Sequence, residues 1–172
     1  MRQYEANDIR NVAVAGHGSS GKTSLIEALL YRTGATDRLG KIADGNTVSD
    51  YDPEEVKRKA SLNLSIVPVE YNNVKINFLD APGLFDFALG QAEAIRAAGS
   101  VLIVVSGKSG VTVGAKKAYK AAVKAGKPRA FFVSKMDSDH ADFYKVLEQL
   151  KTEFGPSVCT LVVHYVEEHK VK

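Results

Sequence analysis

The run Gly16-His17-Gly18-Ser19-Ser20-Gly21-Lys22-Thr23 fits the pattern Gly-x4-Gly-Lys-Ser/Thr, and its flanks leave the chain few folds to choose from. Ahead of it, residues 9–15 (Ile-Arg-Asn-Val-Ala-Val-Ala) are short, rich in β-branched side chains and followed by glycine, which reads as a buried strand. Behind it, Ser24-Leu25-Ile26-Glu27-Ala28-Leu29-Leu30-Tyr31 reads as part of a helix over residues 21–33. A glycine-rich loop between a strand and a helix turns its backbone N–H groups inward. The new helix adds the positive end of its dipole, so the loop is shaped for a diphosphate. In such a loop Lys22 reaches the β- and γ-phosphates, and the Thr23 hydroxyl is a ligand for Mg²⁺. The pattern implies a nucleoside triphosphate site.

The remaining segments alternate strand and helix. Residues 34–61 are rich in Gly, Asp, Arg and Lys with little apolar periodicity, and read as a long loop, functional or disordered. Residues 63–70 alternate at period two, Tyr71-Asn72-Asn73 turns, and residues 74–79 alternate again, which predicts a hairpin. Pro68 cannot donate to a ladder on both sides, so its strand belongs at the sheet edge. A helix over 89–97 leads to the continuous apolar strand 100–105, suited to the centre of a parallel sheet. A helix over 114–125 leads to strand 130–133, and a helix over 139–152 to a last strand from Val158 to about Val166. The order predicts an α/β fold: a mostly parallel, doubly wound sheet with one antiparallel edge strand. Tyr144, Leu147 and Leu150 follow helical spacing and are expected in the core.

Bulk properties narrow the class. The 172 residues suit one domain, 1–172, and 25% charged with 45% hydrophobic residues are ordinary for a globular protein. A net charge of +3 does not argue for nucleic acid, and Lys116, Lys117, Lys120 and Lys124 follow helical spacing as a solvated face. Cys159 is the sole cysteine, so no disulfide forms within the chain, which favours a reducing, cytoplasmic setting. No apolar run is long enough for a membrane span. His17, His140, His164 and His169 show no metal-ligand spacing with one another or with Cys159, and read as loop or surface residues.

Two further motifs close strands that follow the loop. In Asp80-Ala81-Pro82-Gly83, a strand-end carboxylate can hold an Mg²⁺-bound water, and the glycine N–H can approach a γ-phosphate. In Ser134-Lys135-Met136-Asp137, the Asp137 carboxylate can accept hydrogen bonds from guanine N1–H and N2–H₂, while adenine offers no such donors. Hydrogen bonds to a charged group are worth ~1.5–3 kcal/mol each, enough for discrimination of order hundredfold. The aliphatic stem of Lys135 is placed to cover the base plane.

Together these residues resemble the translational GTPases, most closely the GTPase domain of elongation factor G, over nearly the whole chain. The loop resembles the family's Gly-His-x-x-x-Gly-Lys-Thr, and residues 44–55 resemble its first switch. Residues 80–87 are similar to Asp-Thr-Pro-Gly-His-Val-Asp-Phe, and residues 134–137 to Asn-Lys-Met-Asp. The resemblance implies a P-loop fold, Mg²⁺, GTP and GDP as ligands, and GTP hydrolysis on the ribosome. It also implies that Ser61, within Arg58-Lys59-Ala60-Ser61-Leu62, supplies the Mg²⁺-sensing hydroxyl of Arg-Gly-Ile-Thr-Ile. Residues 34–61 are then expected to be mobile until a γ-phosphate and Mg²⁺ engage Ser61.

The chain departs from that pattern in ways that bear on catalysis. Leu84 stands at the place of the family's histidine, which orients the attacking water, so the catalytic residue is left unassigned. Ser134 replaces an Asn and is expected to be too short to span from base to phosphate loop. Ser19 replaces an Asp common in the loop. The family's last guanine-contacting loop lies beyond Lys172, so the chain is expected to be cut within its GTPase domain. Two readings stay open: a slow GTPase of the elongation factor G type, or a ribosome-associated module that holds guanine nucleotide and barely hydrolyses it. Either is expected to be monomeric, off the membrane and without sequence-specific nucleic-acid binding.

Overall fold

Alternate side chains of the central strands bury in opposite directions, and the layers of the molecule follow from that alternation. A computed structural model describes residues 3–163. Its strands are β1 (Ile9–Gly16), β2 (Ser65–Tyr71), β3 (Val74–Asp80), β4 (Ser100–Ser106) and β5 (Arg129–Ser134). Its α-helices are α1 (Lys22–Arg32), α2 (Pro53–Arg58), α3 (Ala88–Ala97), α4 (Val113–Lys124) and α5 (Phe143–Phe154). Short 3-10 turns occupy Ala6–Asp8, Ile42–Asp44 and Phe85–Phe87.

One sheet runs β2-β3-β1-β4-β5, parallel throughout except for the antiparallel β2–β3 hairpin at its edge. The turn of that hairpin holds Asn72 and Asn73 at φ 47° and 66°, the left-handed pair that a two-residue hairpin demands. Pro68 lies exposed on β2, the edge strand, as its missing N–H requires. Val14 and Val104 pack with Ile26 and Leu30 of α1 on one face. Ala13, Ala15, Val101, Ile103 and Val105 pack on the other against Ala94 and Ile95 of α3, Ala115 and Ala118 of α4, and Val146 and Leu150 of α5. Helices on both faces make the sheet doubly wound. The alanines of α3 and α4 let these helices lie close on the β1 and β4 surface.

Several expectations are corrected. No strand forms over residues 158–163; Leu161 and Val162 are 89% and 83% exposed, and residues 164–166 fall outside the described residues. A β-branched run alone does not make a strand when no ladder takes it up. The last helix begins at Phe143 rather than 139, because the Asp142 side chain accepts the Lys145 N–H at 3.0 Å and caps it. Tyr144 is 65% exposed, and Val146 joins Leu150 in the core instead.

The largest correction concerns residues 34–61, which hold a helix and a polar anchorage. Asp52 accepts the Glu54 N–H at 2.8 Å and Glu55 reaches back to the Asp52 N–H at 3.3 Å, a capping box with Pro53 at the first helical position. Glu55 is buried and its Oε1 also accepts the Leu62 and Asn63 N–H groups, both at 2.9 Å. Polar contacts to Glu27, Asp80, Thr23 and Ser65 hold this segment to the body.

Candidate functional site

The C-terminal ends of β1, β3, β4 and β5 lie along one edge of the sheet, and each motif is the loop that leaves one of them. At the end of β1, Gly16 has φ 145° and a β-carbon there would stand 2.6 Å from the Val104 carbonyl oxygen. Only glycine lets the chain turn so close to β4. Ser19 (φ 59°) and Gly21 (φ 95°) then bend the loop through the left-handed region, and α1 starts at Lys22. Such a bend gathers successive N–H groups into an anion-binding concavity at a helix N-terminus. Lys22 lies across the loop, its Nζ donating to the His17 carbonyl at 3.0 Å. Burial lowers its pKa, while Asp80 and Asp50 act in the opposite sense.

Beside the loop, hydroxyls and carboxylates converge. Asp80, closing β3, is 1% exposed, and its Oδ2 accepts from Thr23 Oγ1 and from Ser49 Oγ, each at 2.8 Å. Ser61 Oγ stands 3.2 Å from Thr23 Oγ1. The Ser49 carbonyl accepts from Ser65 Oγ at 2.7 Å, which fixes this stretch to the start of β2. Asp80 Oδ1 and Asp50 Oδ1 are buried with no hydrogen-bond partner. Burial raises the Asp80 pKa to about 6 against the hydrogen bonds from Thr23 and Ser49 and the charge of Lys22. Burial also raises Asp50, with Ser61 and Lys22 opposing and Glu55 and Glu27 adding to the shift. Carboxylate and hydroxyl oxygens, with orphaned lone pairs out of water, are a donor set for a hard divalent cation. Among the described residues no group of three or more His, Cys, Asp and Glu forms a metal site, so no competing histidine or thiolate cluster is present there.

The turn after β3 is laid against the loop. A β-carbon on Gly83 would collide with Lys22 Nζ and stand 2.7 Å from the Gly18 nitrogen, so this position tolerates only glycine. Leu84 is 41% exposed, and its Cδ2 would lie 3.0 Å from a β-carbon on Gly18. Phe85 faces His17 with ring centroids 5.6 Å apart and lies 4.1 Å below Lys117 Nζ. Position 84 thus presents an apolar side chain to the loop.

At the end of β5, Ser134 Oγ donates to the Ser20 carbonyl at 2.6 Å. The serine hydroxyl thus reaches the phosphate loop directly, because β5 ends close to it. Lys135 has φ 56°, and its Cε would be 4.0 Å from a β-carbon on Gly21. The Gly107 N–H donates to the Ser134 carbonyl at 2.7 Å and holds this turn beside β4. Lys135 and Asp137 are exposed at the rim.

The structure therefore brings the loop, Thr23, Ser61, Asp80, Gly83 and Ser134 to one end of the sheet, with Asp137 at its edge. Ser49 and Asp50, which the first-switch resemblance covered without a role, and Glu27, which the sequence reading missed, belong to the same cluster. Ser49 and Asp50 sit in an aperiodic loop, and Glu27 has the spacing of an ordinary helix residue.

Fold and site define a P-loop GTP-binding domain. Residues 7–171 match the elongation factor Tu GTP binding domain, and the chain belongs to that family. It is 36% identical to the mitochondrial ribosome-releasing factor 2 of Drosophila willistoni, over 89% of this chain and 21% of that protein. It is 38% identical to an elongation factor G-like protein of Synechocystis, over 88% of this chain and 23% of that one. A crystal structure from Thermus thermophilus superposes with a TM-score of 0.83 at 40% identity, covering 86% of this chain and 22% of that one. A bacterial selenocysteine-specific elongation factor shares the fold at 23% identity and a TM-score of 0.66, covering 88% of this chain and 24% of that one. The chain spans about a fifth of the length of the curated relatives it matches.

Proposed function

We propose that this chain binds GTP and GDP with Mg²⁺ and hydrolyses GTP, as the nucleotide-binding part of an elongation factor G-like factor that acts on the ribosome. The observation that carries this reading is the convergence of Thr23, Ser49, Ser61 and Asp80 beside the phosphate loop, with buried carboxylate oxygens left over for a cation. Phosphoryl transfer asks a protein chiefly for positioning and charge neutralisation. In this reading Lys22 takes the terminal phosphates, and the Gly83 N–H faces the third. Thr23 and Ser61 hold Mg²⁺ with Asp80 and Asp50 behind them, and the ion neutralises phosphate charge when bound. Asp137 accepts the guanine N1–H and N2–H₂ donors, the Lys135 stem covers the base, and Ser134 couples that turn to the loop through Ser20.

Relatives named as elongation factor G-like proteins and a ribosome-releasing factor support the ribosome as partner. The compartment follows the ribosome, in the cytoplasm or, as for the relative named mitochondrial, in an organelle. Among the described residues no helix is long and apolar enough to cross a membrane. A second reading, a guanine-nucleotide module that hydrolyses poorly, is favoured by Leu84, which places no polar side chain against the loop.

Calorimetric titration with GDP and ADP, with and without Mg²⁺, tests the first claim. Tighter, Mg²⁺-dependent binding of GDP is expected; equal affinities for the two would remove the guanine assignment. Asp137→Asn should narrow the difference, because an amide turns a donor toward N1–H. Single-turnover hydrolysis with and without ribosomes separates the two readings.

A further inference from the structure

Glu27 is a carboxylate 1% exposed on α1, one helical turn after Thr23, and no motif accounts for it. Its Oε1 accepts the Val48 N–H at 2.6 Å. Its Oε2 lies so close to Gly40 that a β-carbon there would collide with it, and would also stand 3.0 Å from the Asn46 carbonyl oxygen. The Lys41 N–H donates to Asn46 Oδ1 at 2.7 Å, so residues 40–48 form a closed loop seated around this side chain. The residue after Val48 is Ser49, whose hydroxyl reaches Asp80, and next comes Asp50 with its buried, unpartnered oxygen.

The placement is costly unless it serves something. Glu27, Asp50, Glu55 and Asp80 are all buried, with Lys22 the one buried ammonium among the described residues. Like charges held out of water repel, and a cation seated among them relieves that repulsion. A carboxylate at this point seats the loop with Ser49 and Asp50 beside Asp80. We propose that Glu27 is a positioning residue: it clamps residues 40–48 and thereby aims Ser49 and Asp50 at the divalent cation. Thr23 and Glu27 then act from successive turns of α1, so the helix that starts at the phosphate loop also sets the cation's second side. This rests on the function proposed above for the cation, but the clamp itself is tested without nucleotide.

The first measurement is amide exchange of the nucleotide-free chain. Glu27→Ala should speed exchange at Val48 and its neighbours by about tenfold or more, the loss of a charge-assisted hydrogen bond, while amides in α4 are unchanged. Gly40→Ala, which pushes the carboxylate aside without removing it, should do the same to a smaller extent. Unchanged exchange at Val48 in both variants would overturn the clamp, whatever the chain binds. The second measurement is the Mg²⁺ concentration that half-saturates retention of a fluorescent GTP analogue. Glu27→Ala should raise it by about tenfold, Glu27→Gln by less because the amide oxygen still accepts from Val48, and nucleotide retention in EDTA should not change. A lower melting temperature with an unchanged Mg²⁺ midpoint would make Glu27 a structural residue only and end the proposal.

Discussion

With one carboxylate oxygen accepting from Thr23 and Ser49 and the other without a donor, Asp80 is held in water-free surroundings that favour its neutral form. Its pKa of about 6 stands above the ordinary value of 3.8. In the metal-free chain such a group contributes stability that is fully present below the ordinary carboxylate range and is lost as pH rises through about 6. The loss is on the order of 3 kcal/mol. Urea denaturation of the metal-free chain across that range should show stability falling with pH, and Asp80→Asn should flatten the fall. A profile unaltered by Asp80→Asn would mean that the carboxylate ionises freely in the fold. Leu84 supports a prediction of a different kind. With no side chain to orient water, turnover should be slow, ~10⁻⁴–10⁻² s⁻¹ as for unassisted small GTPases. A single-turnover rate above about 1 s⁻¹, well past that unassisted range, would show that another group holds the water.

Between residue and fold stand the short elements that tie residues 34–61 to the body. The capping box of α2 and the three backbone donors gathered by Glu55 divide the work unequally. Asp52→Ala removes one partly buried cap and should cost about 1 kcal/mol. Glu55→Ala leaves three part-buried N–H groups without their acceptor and should cost about 2–3 kcal/mol, near the low end of ~1–3 kcal/mol per donor because water can reach them. Chemical denaturation of the two variants compares these, and amide exchange at Leu62 and Asn63 locates the effect. Equal, small losses would place those amides in water rather than on Glu55. At the opposite edge of the sheet the hydroxyl of Ser134 joins the turn after β5 to the phosphate loop by one polar contact.

The whole molecule is a sheet whose parallel strands all end at the phosphate loop, so ligand binding there should be felt by the global transition. A ligand at about 100 times its dissociation constant adds ~2.7 kcal/mol to a fold that alone binds it. For a chain of this size that is about 5–11 °C in melting temperature. GDP with Mg²⁺ should give a rise of this order and ADP almost none. Identical shifts for the two would show that the base end contributes nothing and that the phosphate loop alone is recognised.

Strand and helix order, the edge hairpin and the position of each phosphate motif were legible in the sequence alone. Those features rest on local periodicity and on glycine at turns, which neighbouring residues impose whatever lies across the sheet. The lack of a strand over residues 158–163 and the exposure of Tyr144 were not, because each depends on a partner far away in sequence; the start of α5 was missed although its cap, Asp142, lies beside it. Ser61 was placed by resemblance, but the approach of Ser49 and Asp50 to Asp80, and the hold of Glu27 on Val48, leave no periodic trace. Residues 34–61 have no repeat to read, and contacts to Glu27 and Asp80, which lie on α1 and β3, help set their geometry. The tertiary structure also showed that a serine at position 134 still reaches the loop, since that link depends on the separation of strand ends rather than on side-chain length alone. Local patterning determined the frame; the burial of charge within it decided the site.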